Sequence, residues 1–411
     1  MTTTPGTSAV PEQQNAQRPA AAPHSTLRRR LAELRGGPGV PPRPLDARAL
    51  AALASNPGCR RRALLDGAGV DKNALASALG APTAFGQSQF AFVRGNAFEA
   101  RVKADGGAEL VRLLCGRSGD AAPESSDEVA VPDLAADGPA GRAARTGLAL
   151  EEASAAGRWT VLDHPMLTLD VAGSAVYLEP DAVAVHPDGG LTVVEIKSFP
   201  ILDGSADPAK VGAAARQAAV YALALERAAG VRRGHGAPPA PEDSSGVRPE
   251  ALLVCPKDFS NLPAAALVDV RRQVASTRRQ LTRLARLDEI AGAVPEGTTF
   301  ALSLPADALR DAVASVPASY APECLAGCEL AFHCRSAARE QGAVTALGRG
   351  ARAELGSLAT VESVLAAAGG PQGNGRGGGA PDEPAAVALR RAARLRAEAL
   401  GTADEEAGTC R

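Results

Sequence analysis

Residues 191–199 read LTVVEIKSF, an apolar, β-branched run that fits a buried strand yet carries Glu195 and Lys197 two positions apart. Side chains alternate faces along a strand, so these two share one side while Val194 and Ile196 take the other. An unpaired charge taken out of water costs several kcal/mol. A fold containing this strand must therefore either leave the two as an ion pair on a half-exposed face or put them to use.

The neighbouring patterns place the strand in an α/β core. MLTLDVAG (166–173) and AVYLEPDAVAVHP (175–187) have strand character, and HPDGG supplies the turn into LTVVEIKSF. A helix over 208–229, a Gly/Pro/Ser loop over 230–248, a strand at ALLVCP (251–256) and a long helix over 264–288 follow. Upstream, 26–115 reads as helical, with RGNAFEARVKADGGAELVRLL broken at Gly106 and Gly107, followed by a loop to 139 and a helix to 156. Residues 1–25 lack apolar periodicity and are expected to be a disordered tail. Residues 346–411 hold a Gly-rich linker and a basic helix at AAVALRRAARLRAEAL.

With 45% hydrophobic residues the 411-residue chain can bury a core, and its formal net charge of −2 gives no global attraction to nucleic acid. Binding of that kind has to come from local basic patches. Two are present: Arg272, Arg279, Arg283 and Arg286, which form one stripe on the helix expected over 264–288, and Arg60, Arg61 and Arg62. A stripe of this kind also fits a solvated helix face. No run of about 18 apolar residues is present, and the N-terminus lacks the basic-then-apolar order of a signal peptide, so a cytoplasmic protein with no membrane partner is expected. In a reducing compartment the seven cysteines are buried apolar residues, metal ligands or catalytic groups rather than disulfides.

Asp181 stands fourteen residues before Glu195, and a hairpin turning at 187–190 would bring both carboxylates to one end of the sheet. Two such groups make a hard oxygen site for magnesium or manganese, beside a lysine that can position a water. The order Pro180-Asp181, then Glu195-x-Lys197, resembles the PD-(D/E)xK nuclease superfamily. Gln217 and Tyr221, four apart on the helix that follows, are similar to the Q-x-x-x-Y of its RecB-like branch, and Gly95 with Glu99 resembles an upstream helical motif in which Glu replaces a more common His. The resemblance implies a restriction-endonuclease-like mixed sheet flanked by helices. It also implies that Asp181, Glu195 and the Ile196 carbonyl hold one or two ions with Glu99 joining, that Lys197 orients the water, and that Gln217 and Tyr221 shape the site.

Cys324, Cys328 and Cys334 follow a C-x3-C-x5-C spacing, and Cys59 precedes them by 265 residues. This layout resembles iron-sulfur members of the RecB-like family such as the AddB nuclease domain and CRISPR-associated exonucleases. It implies a 4Fe-4S cluster that clasps the two ends of the fold. The first gap is one residue longer than the family's C-x2-C, and four thiolates suit zinc equally. Cys115, Cys255 and Cys410 are expected not to be ligands. The resemblance divides the chain into a helical region with the first cysteine (26–92), a nuclease core (93–300) and the cysteine region (301–345).

The expected activity is metal-dependent hydrolysis of DNA, single-stranded or with free ends, in repair, recombination or defence. No GxxxxGK[ST] loop is present, so an unwinding motor would be a helicase or another CRISPR or repair partner protein. The alternatives are a non-catalytic nucleic-acid-binding subunit and a zinc-stabilised interaction module.

Overall fold

The structure, a computed structural model, describes residues 23–56, 58–82, 89–171, 174–232, 246–258, 260–283, 287–369 and 383–408. Most of the expected tail, most of the 230–248 loop, the Gly-rich stretch 370–382, Arg286 and Cys410 lie outside the described residues. Six helices come first: α1 (Pro23–Arg35), α2 (Ala47–Ser55), α3 (Arg60–Ala68), α4 (Lys72–Ala78), α5 (Gln89–Val102) and α6 (Ala108–Ser118). The expected break falls between α5 and α6. Gly107 there has φ 80° and lies so near β-strand residue Val161 that an added Cβ would stand 3.0 Å from its Cγ1. Only glycine combines that backbone with that approach.

Helix α7 (Gly138–Ala156) leads into β1 (Thr160–Asp163), β2 (Leu167–Val171), β3 (Ser174–Leu178), β4 (Ala182–Val185) and β5 (Leu191–Ile196). Helix α8 (Pro208–Arg232), β6 (Glu250–Pro256), β7 (Pro263–Asp269) and α9 (Arg271–Arg283) follow, then α10 (Leu287–Gly292), α11 (Ala306–Ala314), α12 (Ala331–Glu340), α13 (Arg349–Glu354), α14 (Val361–Gly369) and α15 (Pro384–Gly408). The fold is α/β, with a five-stranded mixed sheet in the order β1-β4-β5-β6-β7, in which β5 and β6 run parallel and the other pairs antiparallel. β2 and β3 form a separate hairpin.

Two expectations change. AVYLEPDAVAVHP is not one strand: β3 and β4 belong to different sheets and part around Pro180, which has no N–H for a ladder and favours an extended or turn residue before it. The helix expected from 264 begins only at Arg271, because PAAALVD is an edge strand paired along its whole length with β6. Alanine propensity yields here to cross-strand pairing.

Both faces of the sheet are covered. Val183, Val185, Leu191 and Val193 pack with α2, α7 and α8 in one core, while Ala182, Ala184, Val194 and Ile196 pack with Phe98, Val102, Leu110 and Leu114 of α5 and α6 in another. The alternation sends Glu195 toward the α8 face, and all six residues of β5 are buried. The half-exposed ion pair that the sequence permitted is therefore excluded. A third core joins the ends of the chain, with Leu34, Leu64, Leu65 and Leu75 against Leu287, Phe300, Leu309, Val313 and Leu330.

Candidate active site

The β4–β5 hairpin sets the first part of the site. Ala182 pairs with Val194, so Asp181 stands one step further out, level with Glu195. The Ile196 N–H donates to Asp181 Oδ2 at 2.6 Å, which fixes that carboxylate against the strand end. Lys197 leaves the same edge, its own N–H donating to the Val254 carbonyl at 2.9 Å. Its ammonium lies 3.8 Å from Asp181 Oδ2 and forms a close ion pair with Glu195.

Glu195 is 1% exposed; its Oε1 is paired with the Lys197 ammonium, and its Oε2 has no hydrogen-bond partner among the described residues. Burial pushes its pKa up to about 7, Lys197 pulls the other way, and the charges of Asp181 and Glu99 push it further up. For Lys197, desolvation favours the neutral amine, but Glu195 and Asp181 outweigh it and raise the pKa. Tyr221 of α8 is buried beneath the pair. Its pKa is raised by burial and then by the Glu195 charge, and its hydroxyl accepts from Gln217 Nε2 at 3.2 Å. The structure thus brings Asp181, Glu195, Lys197, Gln217 and Tyr221 together.

Glu99 reaches the edge of this group from α5, whose Gly95 packs beside Ser198 just past β5. Its carboxylate is already engaged: Oε1 lies 2.6 Å from Lys103 Nζ and 3.0 Å from His164 Nε2. The hydrogen bond from His164 is the largest influence that lowers its pKa, to about 2, with Lys103 adding to it against desolvation. Sequence reasoning missed Lys103, Asp163 and His164. Lys103 was open to discovery, one helical turn after Glu99. His164 carried no such signal, since it arrives from the turn after β1 with φ 46°.

Cys328 and Cys334 border both the third core and a smaller neighbouring core that contains Cys324. Cys59 is the N-cap of α3, Cys324 lies in the turn Pro322–Ala326, and Cys334 is on α12. Cys59 is near enough to raise the pKa of both Cys324 and Cys334 by its charge, after the larger effect of burial. Burial pushes Cys328 up to about 12, with Arg62 opposing. The segment before and within α3 supplies donors to the sulfurs: Asn56 Nδ2 to Cys324 Sγ at 3.2 Å and Arg61 Nη1 to Cys334 Sγ at 3.4 Å. Arg61 also donates to the Val316 carbonyl, and Arg62 pairs with Glu329 at 2.6 Å. Arg61 and Arg62 are buried, 8% and 4% exposed, so the reading of Arg60–Arg62 as a phosphate-binding surface is corrected: of the three, only Arg60 is exposed. Cys115 and Cys255 are buried in other cores.

Among the described residues, no three His, Cys, Asp or Glu side chains stand at the separations of a ready metal site. The chemistry of each donor set nevertheless fits a cation. A buried carboxylate whose Oε2 has no hydrogen-bond partner among the described residues, beside a second carboxylate, suits a hard divalent ion. N–H donors aimed at sulfurs are what a thiolate-held cluster uses to tune its charge.

On the expected DNA-facing helix, Arg272 and Arg279 of α9 are exposed, whereas Val274, Thr277 and Gln280 turn inward. The hydrophobic side of α9 packs on α8, so the stripe is an outer face. No helix among the described residues is long and apolar enough to cross a membrane. No family model, curated protein or solved structure matches the chain.

Proposed function

We propose that the chain is a divalent-metal-dependent DNA nuclease of the RecB-like PD-(D/E)xK kind, with a restriction-endonuclease-like core clasped by a 4Fe-4S cluster at Cys59, Cys324, Cys328 and Cys334. The observation that carries the reading is the convergence of Asp181, Glu195 and Lys197 at one sheet end, with Glu195 buried, its Oε1 paired with Lys197 and its Oε2 without a hydrogen-bond partner among the described residues. A structural ion pair needs no second carboxylate beside it, and a buried carboxylate oxygen without a donor is costly unless something binds it.

Magnesium or manganese held by Asp181 and Glu195 would supply charge for the phosphodiester and lower the pKa of a bound water. The chain's own groups do the rest. The Ile196 N–H holds Asp181 in place, Lys197 Nζ orients the attacking water, and Tyr221 with Gln217 closes the α8 side against solvent. Arg272 and Arg279 on the exposed face of α9 give phosphate contacts without base readout. The cysteine clasp is structural, tying the N-terminal helices to the segment 316–334.

The test is cleavage of end-labelled DNA by Asp181→Ala, Glu195→Ala and Lys197→Ala, each checked for retained folding and DNA binding. Losses of at least about 100-fold are expected, the scale of a removed acid-base or electrostatic group. Undiminished cleavage in any of the three would overturn the assignment of that residue, and in all three the nuclease reading itself.

A further inference from the structure

Lys103 carries an arrangement that the two-carboxylate site does not explain. Its side chain is 13% exposed, and its ammonium is held by Glu99 Oε1 at 2.6 Å, Asp163 Oδ1 at 2.7 Å and the Asp181 carbonyl at 2.8 Å. Three oxygens from three elements thus surround one positive charge. His164 Nε2, 3.2 Å from the ammonium, donates to the same Glu99 Oε1 at 3.0 Å, and its backbone is held at φ 46°, an unfavourable region for a non-glycine residue that persists only where its surroundings enforce it. The His164 N–H donates to the same Asp181 carbonyl at 3.3 Å, and Arg142 donates to the His164 carbonyl at 2.9 Å. The surroundings therefore hold the ring against Lys103.

We propose that Lys103 is the resident second cation of the site: its ammonium fills the position a second divalent ion would take, so that the chain binds one metal ion, at Asp181 and Glu195, and not two. This rests on the nuclease reading above and assigns Glu99 to Lys103 rather than to the metal. The distances agree: 2.6–2.8 Å is the spacing of hydrogen bonds to an ammonium, whereas magnesium requires about 2.0–2.1 Å. Lys103 is on this account a positioning residue. It holds Glu99 and the Asp181 main chain in place and sets the charge beside the metal, without touching the reacting phosphate.

The experiment counts manganese ions bound at equilibrium, by the paramagnetic resonance of the free ion, in wild type, Lys103→Arg and Lys103→Met. One ion is expected in wild type and in Lys103→Arg. Two are expected in Lys103→Met, the additional one lost again when Glu99→Gln is added. If Lys103→Met does not fold, Lys103→Gln, which keeps a donor for the Asp181 carbonyl, decides in its place. A single ion in the folded neutral variant, or two in wild type, overturns the proposal. No ion in wild type but one in Lys103→Met would support the resident cation while removing the metal-dependent nuclease reading, so the two claims fail separately.

Discussion

Arg62 gives the contact between α3 and the segment around Glu329 a measurable energy. The side chain is 4% exposed, ion-paired with Asp66 one helical turn on and with Glu329 at 2.6 Å across the junction between the chain's two ends. Desolvation disfavours its charge, but Asp66, Cys328 and Glu329 outweigh it and raise its pKa further. Replacing it by methionine keeps the volume and leaves Asp66, with its side chain 1% exposed, dependent on Lys72 at 2.7 Å. Breaking a buried pair by removing one partner costs about 3–5 kcal/mol. Because Lys72 remains, the lower end applies, about 3 kcal/mol, or roughly 150-fold in the folding equilibrium. Urea unfolding of the metal-free protein followed by circular dichroism measures it. A cycle with Glu329→Gln should return a coupling of about 1 kcal/mol, since that carboxylate is partly solvated. A loss below about 1 kcal/mol for Arg62→Met would refute the view that this ion pair holds the ends together.

Two other outcomes follow from the same geometry. Cys59→Ser and Cys334→Ser should each abolish bound iron and its visible absorption in anaerobically purified protein, whereas Cys255→Ala should retain both; a colourless zinc protein would remove the iron-sulfur assignment. His186 is buried beside Trp159 with Nε2 2.8 Å from Thr192 Oγ1, and burial, then Arg248, depresses its pKa against the opposing charges of Asp120 and Asp188. A depressed histidine binds fewer protons folded than unfolded, so its contribution is complete above about pH 6.5 and is lost as the pH falls below that. The urea midpoint should decline from pH 7 to pH 5 in wild type and decline less in His186→Asn; equal slopes would exclude His186 as the cause.

What the sequence disclosed depended on how local the deciding contacts were. The short turn at 187–190 sets the register of β4 and β5, so the approach of Asp181 to Glu195 follows from spacing alone, and Tyr221 lies one helical turn from Gln217. The depth of Glu195 did not follow, because it is set by α8 and α2 closing over that face rather than by the strand's own residues. Arg61 and Arg62 read as surface charge since, Asp66 apart, the groups that pair with them, Val316, Cys334 and Glu329, are more than 250 positions away. Likewise, nothing near PAAALVD announces the β6 edge that turns it into a strand. His164 reaches Lys103 across 61 positions from a turn that no local pattern marks.

The most direct test of the account is cleavage of end-labelled single- and double-stranded DNA by anaerobically purified wild type, with manganese and with chelator, beside Lys197→Ala. Manganese-dependent products that disappear with chelator and in the variant are expected. Wild type with a full cluster that binds DNA but yields no product under any of these conditions would contradict it.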